Sequence, residues 1–456
     1  MTNRVRWRVV TLTYNVNGRR PNETALEHLL ADENLSQGEF VAIGLQECPP
    51  SDAMGTVPPE FTWSRHITNW MVSRGCVLIK TTYLASNRLL LFTKPEILRL
   101  IVRVNFRYMR STMYGLAGFK GSIAVRIEFG GDQASLCFVT SHLFHSEKFY
   151  WKRVEQYKSS YSQCTFEDKD SKGPKFVVWM GDLNWRVDTT TDAEKVAREV
   201  SLMEGNSKSL TTYLYENDQL KRAMVLRHAF HHLVEGDVSF PPTYRLVGDV
   251  SFPPTYRLVV GTTQYDLERV PSWCDRILYK EHNEFQLLRY AANTRIKSSD
   301  HFPVIAEFEC TMKAPVPLEL VRFLSLRIWY SGVPLSCRFR YVKSFWAREG
   351  SYKDWVGIYA DDITDVDNPL KFVLALTTFD EMFNGMIFLY SLFTYISIGS
   401  PSVVAEFSAL EAGVYRAGYF SYNRGCLIGI SEPFTVAPPL IDSSLYDTVI
   451  SASESF

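Results

Sequence analysis

Short apolar runs alternate along most of the chain with stretches whose apolar positions return every three or four residues, the mark of strands interleaved with amphipathic helices. Residues 40–45, 135–140 and 176–179 read as strands, and residues 25–30 and 194–203 as helices. The alternation predicts one large α/β domain over residues 5–312. After the run 176–179, Gly181 turns the strand so that Asp182 and Asn184, two apart, point the same way at its mouth. One carboxylate and one amide then converge on a single small group.

Pro315 and Pro317 mark a boundary, and beyond it the texture changes to short β-rich segments such as 338–341 and 414–420. A small all-β sandwich over residues 318–437 is expected. The longest apolar run, 386–398, is too short to span a bilayer and contains Ser and Thr, so it reads as a buried strand pair. From residue 438 to 456 the chain ends in a Ser-rich stretch expected to be disordered.

Composition narrows the class. The 456 residues carry a net charge of -1, without the basic surplus of a nucleic-acid binder, so an anionic substrate must be met by local basic groups. Eight cysteines are scattered without CxxC or zinc spacing, which implies reduced thiols in a cytoplasmic protein. No charged-then-apolar leader precedes the first strand, arguing against secretion. His228, His231 and His232 lack a partner motif and read as a helix surface near Phe230.

Two blocks, Trp179-Met180-Gly181-Asp182-Leu183-Asn184-Trp185-Arg186 and Pro271-Ser272-Trp273-Cys274-Asp275-Arg276-Ile277-Leu278, resemble the paired signatures of the inositol polyphosphate 5-phosphatases. Further matches follow in the family's order. Residues 9–16 look like its first strand, ending in Asn15; Gln46-Glu47 follows the strand 40–45; Ser141-His142-Leu143 follows the strand 135–140; and Ser299-Asp300-His301-Phe302-Pro303-Val304 closes the set. Beyond the boundary, residues 354–359 and 429–434 resemble the SKICH domain.

The resemblance implies a four-layer α/β sandwich of the DNase I-like endonuclease/exonuclease/phosphatase superfamily, and Mg²⁺-dependent hydrolysis of an inositol 5-phosphate. Such hydrolysis needs a positioned water, a group to take its proton and donors around the phosphoryl oxygens. Asp182 is the candidate base, with Asn184 beside it. Glu47 and Asn15 supply the hard oxygen ligands that Mg²⁺ prefers. His301 would donate to the phosphate, its tautomer fixed by Asp275 or Asp300, and His142 would contact the phosphate or leaving oxygen. Arg276 and Arg186 either bind phosphate or brace their loops. Lys120, in Gly118-Phe119-Lys120-Gly121, would meet a head-group phosphate. The implied partners are phosphoinositide head groups at the plasma membrane or endoplasmic reticulum, with protein partners through the SKICH-like module.

One segment is peculiar to this chain. The twelve residues 236–247, Gly-Asp-Val-Ser-Phe-Pro-Pro-Thr-Tyr-Arg-Leu-Val, recur letter for letter at 248–259. The corresponding family segment contacts the phosphate at position 4, and only one copy can occupy it. Spacing to Tyr265-Asp266 favours Tyr256 and Arg257 over Tyr244 and Arg245, leaving the other copy as a surface loop. Leu267 stands where the family has Lys, leaving Arg269; Phe119 replaces Asn; Phe302 replaces a basic residue. Each change removes polarity from the expected substrate rim. Competing readings are a same-superfamily enzyme with another substrate, or a phosphoinositide-binding or scaffolding protein with weakened catalysis.

Overall fold

The computed structural model describes residues 3–49, 62–112, 117–131, 134–166, 173–189, 192–202, 208–244, 269–296, 298–326, 328–342, 345–375 and 402–439. The chain divides into two units, Met1–Pro317 with Thr364–Asp367, and Leu318–Ile363 with Asn368–Phe456.

The first unit contains two six-stranded sheets. Its strands are β1 (Arg4–Asn15), β2 (Phe40–Gln46), β3 (Val77–Leu84), β4 (Asn87–Thr93), β5 (Ile101–Thr112), β6 (Ala117–Phe129), β7 (Ser135–His142), β8 (Phe176–Asp182), β9 (Val234–Glu235), β10 (Asp275–Tyr279), β11 (Phe285–Ala292) and β12 (Val304–Lys313). One sheet has the order β11-β12-β1-β2-β4-β3, the other β5-β6-β7-β8-β10-β9. Central strands β2, β4, β7 and β8 are buried at every position, as strands covered on both faces must be. Helices Glu23–Leu30 and Trp63–Val72 pack through Leu29, Trp63 and Ile67 on the first sheet; helix Tyr150–Cys164 packs through Val154 and Tyr157 on the second. Between the sheets a Cβ on Gly44 would lie 2.5 Å from Thr140 Oγ1, so only glycine permits that approach. The result is the four-layer sandwich.

Helices at Glu23–Leu30 and Ala193–Leu202 and strands at all three predicted positions match the hydrophobic pattern. The histidine segment differs. Helix Gln219–Val225 ends before His228, because Arg227 and Phe230 adopt left-handed backbone with φ of 57° and 55°. His228 Nδ1 instead lies 2.8 Å from the Tyr150 hydroxyl.

In the second unit, strands Val321–Phe323, Leu335–Tyr341 and Val403–Phe407 form one sheet. Trp329–Tyr330, Phe434–Ala437, Gly413–Ser421, Trp355–Ala360 and Lys371–Leu374 form another, with Cys426–Ile430 paired to Gly413–Ser421. A short helix, Phe345–Glu349, interrupts the strands. The apolar run 386–398 and the tail from 440 lie outside the described residues. Among those residues no helix is long and apolar enough to cross a membrane.

Candidate active site

Strand polarity gathers the chemistry at one end of the sandwich. β1 and β2 are parallel, with Asn15 opposite Gln46; β7 and β8 are parallel, with His142 opposite Asp182. β10 runs antiparallel to β8 and begins with Asp275 opposite Asp182, while β12 begins three residues after His301. Gly181 has φ of 143° and any Cβ would lie 2.0 Å from Ser141 O, so glycine is obligatory where β8 presents Asp182. Glu47 and Asn184 also take left-handed backbone, with φ of 53° and 55°, turning both side chains to the same opening.

The opening is a cleft of about 210 Å³. Glu47, Asp182 and Asp300 line it together with Lys120, Arg186, Arg269 and His301, and Asn17, Asn184, His145 and Tyr244 complete the wall. Asp182 accepts at Oδ2 from Asn15 Nδ2 (3.0 Å) and at Oδ1 from the Asn184 backbone N–H (3.1 Å); His142 Nε2 stands 3.3 Å from Oδ2. Burial alone would raise this carboxyl; the His142 hydrogen bond and the charges of His301 and Lys120 outweigh it and hold Asp182 well below the usual carboxylate range. Asp182 is an ionised acceptor fixed in direction.

His301 is the main donor. Its Nδ1 lies 2.7 Å from Asp275 Oδ2, whereas Asp300 Oδ1 is 3.9 Å from Nε2, so Asp275 sets the tautomer. Burial opposes charge on this ring, but the Asp275 carboxylate prevails and raises His301 to about 9. Thr243 Oγ1 donates to the same Asp275 oxygen at 2.8 Å and accepts from the Asp275 N–H at 3.2 Å.

Several expected residues have other tasks. His142 is buried behind Asp182, outside the cleft wall; burial and the neighbouring Lys120 charge lower its pKa, and its Nε2 faces Lys120 and Asp182 Oδ2. Asn15 donates to Asp182, while its Oδ1 accepts from the Asn17 N–H at 2.9 Å; it steers Asp182 instead of facing the cleft. Arg276 is fully buried and pairs with Asp218 (3.0 Å) and Glu235 (2.5 Å), so it braces the signature loop and does not bind substrate. Arg186 does both: it lines the cleft and donates to Asn184 Oδ1 at 2.5 Å. Phe302 is buried and not on the rim.

Tyr256, Arg257 and Arg245 lie outside the described residues. The described wall contains Tyr244, of the first copy. Tyr244 pairs with Ser272 through both backbone bonds, its ring lies 4.5 Å from that of His301 and 4.4 Å from the Arg186 guanidinium, and its hydroxyl accepts from Arg269. β9 pairs with β10, so the chain leaving Glu235 arrives directly beside Ser272. Sequence reasoning also passed over His145 and Asn17, for which no residue pattern was available, and assigned no role to Thr243, although it stands in the repeated Pro-Pro-Thr-Tyr-Arg segment.

A hard divalent cation fits the donor set. Oxygens of Glu47 and Asp182 lie with His142 Nε2 within 4.8 Å of one another, and Glu47, side chain 39% exposed, offers a carboxylate to the cleft. One or two carboxylates completed by waters and phosphate is the usual Mg²⁺ arrangement.

Comparison with known proteins agrees with this geometry. The Endonuclease/Exonuclease/phosphatase family 2 model matches residues 12–249 and 247–307, the break falling at the junction of the tandem copies. The type II inositol 1,4,5-trisphosphate 5-phosphatase of Mus musculus is 30% identical over 65% of this chain and 29% of its own length. The phosphatidylinositol 4,5-bisphosphate 5-phosphatase A of Mus musculus is 27% identical over 96% of this chain and 42% of its own length. The chain thus spans less than half the length of either relative. A crystal structure of a synaptojanin inositol polyphosphate 5-phosphatase domain, in complex with inositol (1,4)-bisphosphate and calcium ion, superposes with a TM-score of 0.55 at 26% identity, covering 68% of this chain and 86% of that one. The chain belongs to the endonuclease/exonuclease/phosphatase family 2 and, within it, to the inositol polyphosphate 5-phosphatases.

Proposed function

We propose that the protein is a phosphoinositide 5-phosphatase, removing the 5-phosphate of phosphatidylinositol 4,5-bisphosphate or the 3,4,5-trisphosphate in a Mg²⁺-dependent hydrolysis. The observation that carries this reading is the meeting, in one cleft, of ionised Asp182 with a protonated His301 held by Asp275, and with Lys120, Arg186 and Arg269 in the same wall. Phosphoryl transfer of this kind asks mainly for positioning and for neutralisation of spreading negative charge. A low-pKa carboxylate suits it: Asp182 accepts a hydrogen bond from the attacking water and orients it, and little proton abstraction is needed before the transition state. His301 Nε2 donates to a phosphoryl oxygen, and Lys120 and Arg186 supply further charge-assisted donors. Glu47 and Asp182 would hold a divalent cation, which would supply neutralisation of phosphoryl charge. Arg269, seated on the Tyr244 hydroxyl, is placed for a second phosphate of the head group. The second unit, in its resemblance to a SKICH domain, serves as a targeting module for protein partners, and the chain works peripherally at membranes. Release of inorganic phosphate from defined 5-phosphorylated inositides by the full chain, with and without Mg²⁺, tests this function.

A further inference from the structure

We infer that the inner face of edge strand β5 is a docking shelf for an anionic lipid bilayer, contiguous with the cleft. Arg110 of β5 is paired with Gly121 of β6, Gly121 with His142 of β7, and His142 with Asp182 of β8. Paired residues across a sheet project to the same side, so Arg110, and with it Tyr108 and Phe106 at two and four residues back, share the face of His142 and Asp182. The register is unbroken from Phe106 to Arg110. The positions paired with Tyr108 and Phe106 on β6 are Ile123 and Val125, both buried. On β5 the same face is open: Phe106 is 52% and Tyr108 46% exposed. The aromatic rings therefore occupy core-facing positions and yet remain about half exposed.

Charge selects the occupant. The Arg110 guanidinium lies 5.1 Å over the exposed Tyr108 ring and is the cation of the shelf; Lys80 Nζ, 5.8 Å from the Phe106 ring, is paired with Asp367 at 3.0 Å. Amphipathic rings beside cations are the side chains that settle at the boundary between acyl chains and anionic head groups. Three strand spacings of about 4.8 Å separate Arg110 from Asp182, roughly 14 Å, so a bilayer-borne head group entering the cleft brings the bilayer over the shelf. This inference rests on the phosphoinositide reading of the cleft, but its binding readout does not require catalysis.

The test uses the full chain and two variants, Phe106→Ser with Tyr108→Ser, and Arg110→Glu, whose exposed positions leave folding intact. Co-sedimentation is measured with phosphatidylcholine vesicles and with vesicles also holding phosphatidylserine and phosphatidylinositol 4,5-bisphosphate, alongside phosphate release from the same vesicles and from soluble inositol 1,4,5-trisphosphate. We expect wild-type binding to the anionic vesicles only, and each variant to lose about tenfold in vesicle binding and vesicle turnover while keeping soluble turnover within about twofold. Absent wild-type binding, unchanged variant binding, or an equal fall on the soluble substrate overturns the shelf; loss of a protein contact with vesicle binding intact does so too and assigns the face to a protein. Patch-dependent binding by a chain that releases no phosphate from either substrate keeps the shelf and rejects the enzymatic reading.

Discussion

Asp275 Oδ2 and His301 Nδ1 are 2.7 Å apart in a fully buried pair, and this contact makes a histidine into a lasting cation. Its pKa is raised above the ordinary 6.5 to about 9, so the donor at Nε2 is present at neutral pH and is lost as pH rises through about 9. The pH profile of kcat/KM should show its alkaline limb there. Asp275→Asn removes the carboxylate that outweighs burial, so the limb should move below neutrality and the rate at neutral pH should fall by about 10²–10⁴. An unmoved limb would assign it to another group.

Glu47 offers the exposed carboxylate of the cation site. Glu47→Gln replaces a charged hard ligand with a neutral one and should raise the Mg²⁺ concentration for half-maximal activity by about tenfold or more. Unchanged metal dependence would remove Glu47 from the site.

The tandem copies make a sharp case. Deleting 236–247 or 248–259 produces one and the same sequence, so deletion tests only whether the extra residues matter; activity should survive it. Point changes in the full-length chain discriminate. Tyr244→Ala removes the seat of Arg269 and Arg186 and should raise KM for a 4,5-bisphosphate by about tenfold, with Tyr256→Ala near wild type. The reverse sensitivity would place the second copy in the wall.

Arg276 is predicted to act on stability. Arg276→Ala strands the buried carboxylates of Asp218 and Glu235, a loss of about 3–5 kcal/mol on the scale of broken buried pairs. Thermal denaturation should show it, and the folded fraction should keep the wild-type KM. A raised KM at unchanged stability would return Arg276 to the substrate.

The strand ends carrying Glu47 and Asp182 were legible because each closes a continuous apolar run, and Asp275 and His301 because each stands just before one; buried strands impose such runs on the sequence. What could not be read was direction. Whether His142 and Asn15 face substrate or orient Asp182 depends on side-chain rotation, and Asp300, next to His301 in the chain, is not its partner, whereas Asp275, 26 residues away, is. Arg276 and Arg186 have like surroundings in sequence; only the positions of Asp218 and Glu235, brought in by a distant helix and by β9, separate brace from cleft residue. The tandem copies carry identical patterns, so sequence alone cannot rank them; in space Tyr244 of the first copy pairs with Ser272.

The most direct measurement is phosphate release from phosphatidylinositol 4,5-bisphosphate and the 3,4,5-trisphosphate by the full chain and by Asp182→Ala, in Mg²⁺ and in chelator. The account predicts metal-dependent loss of the 5-phosphate, slower by about 10²–10⁴ in the variant. A wild-type rate no greater than that of Asp182→Ala would contradict it.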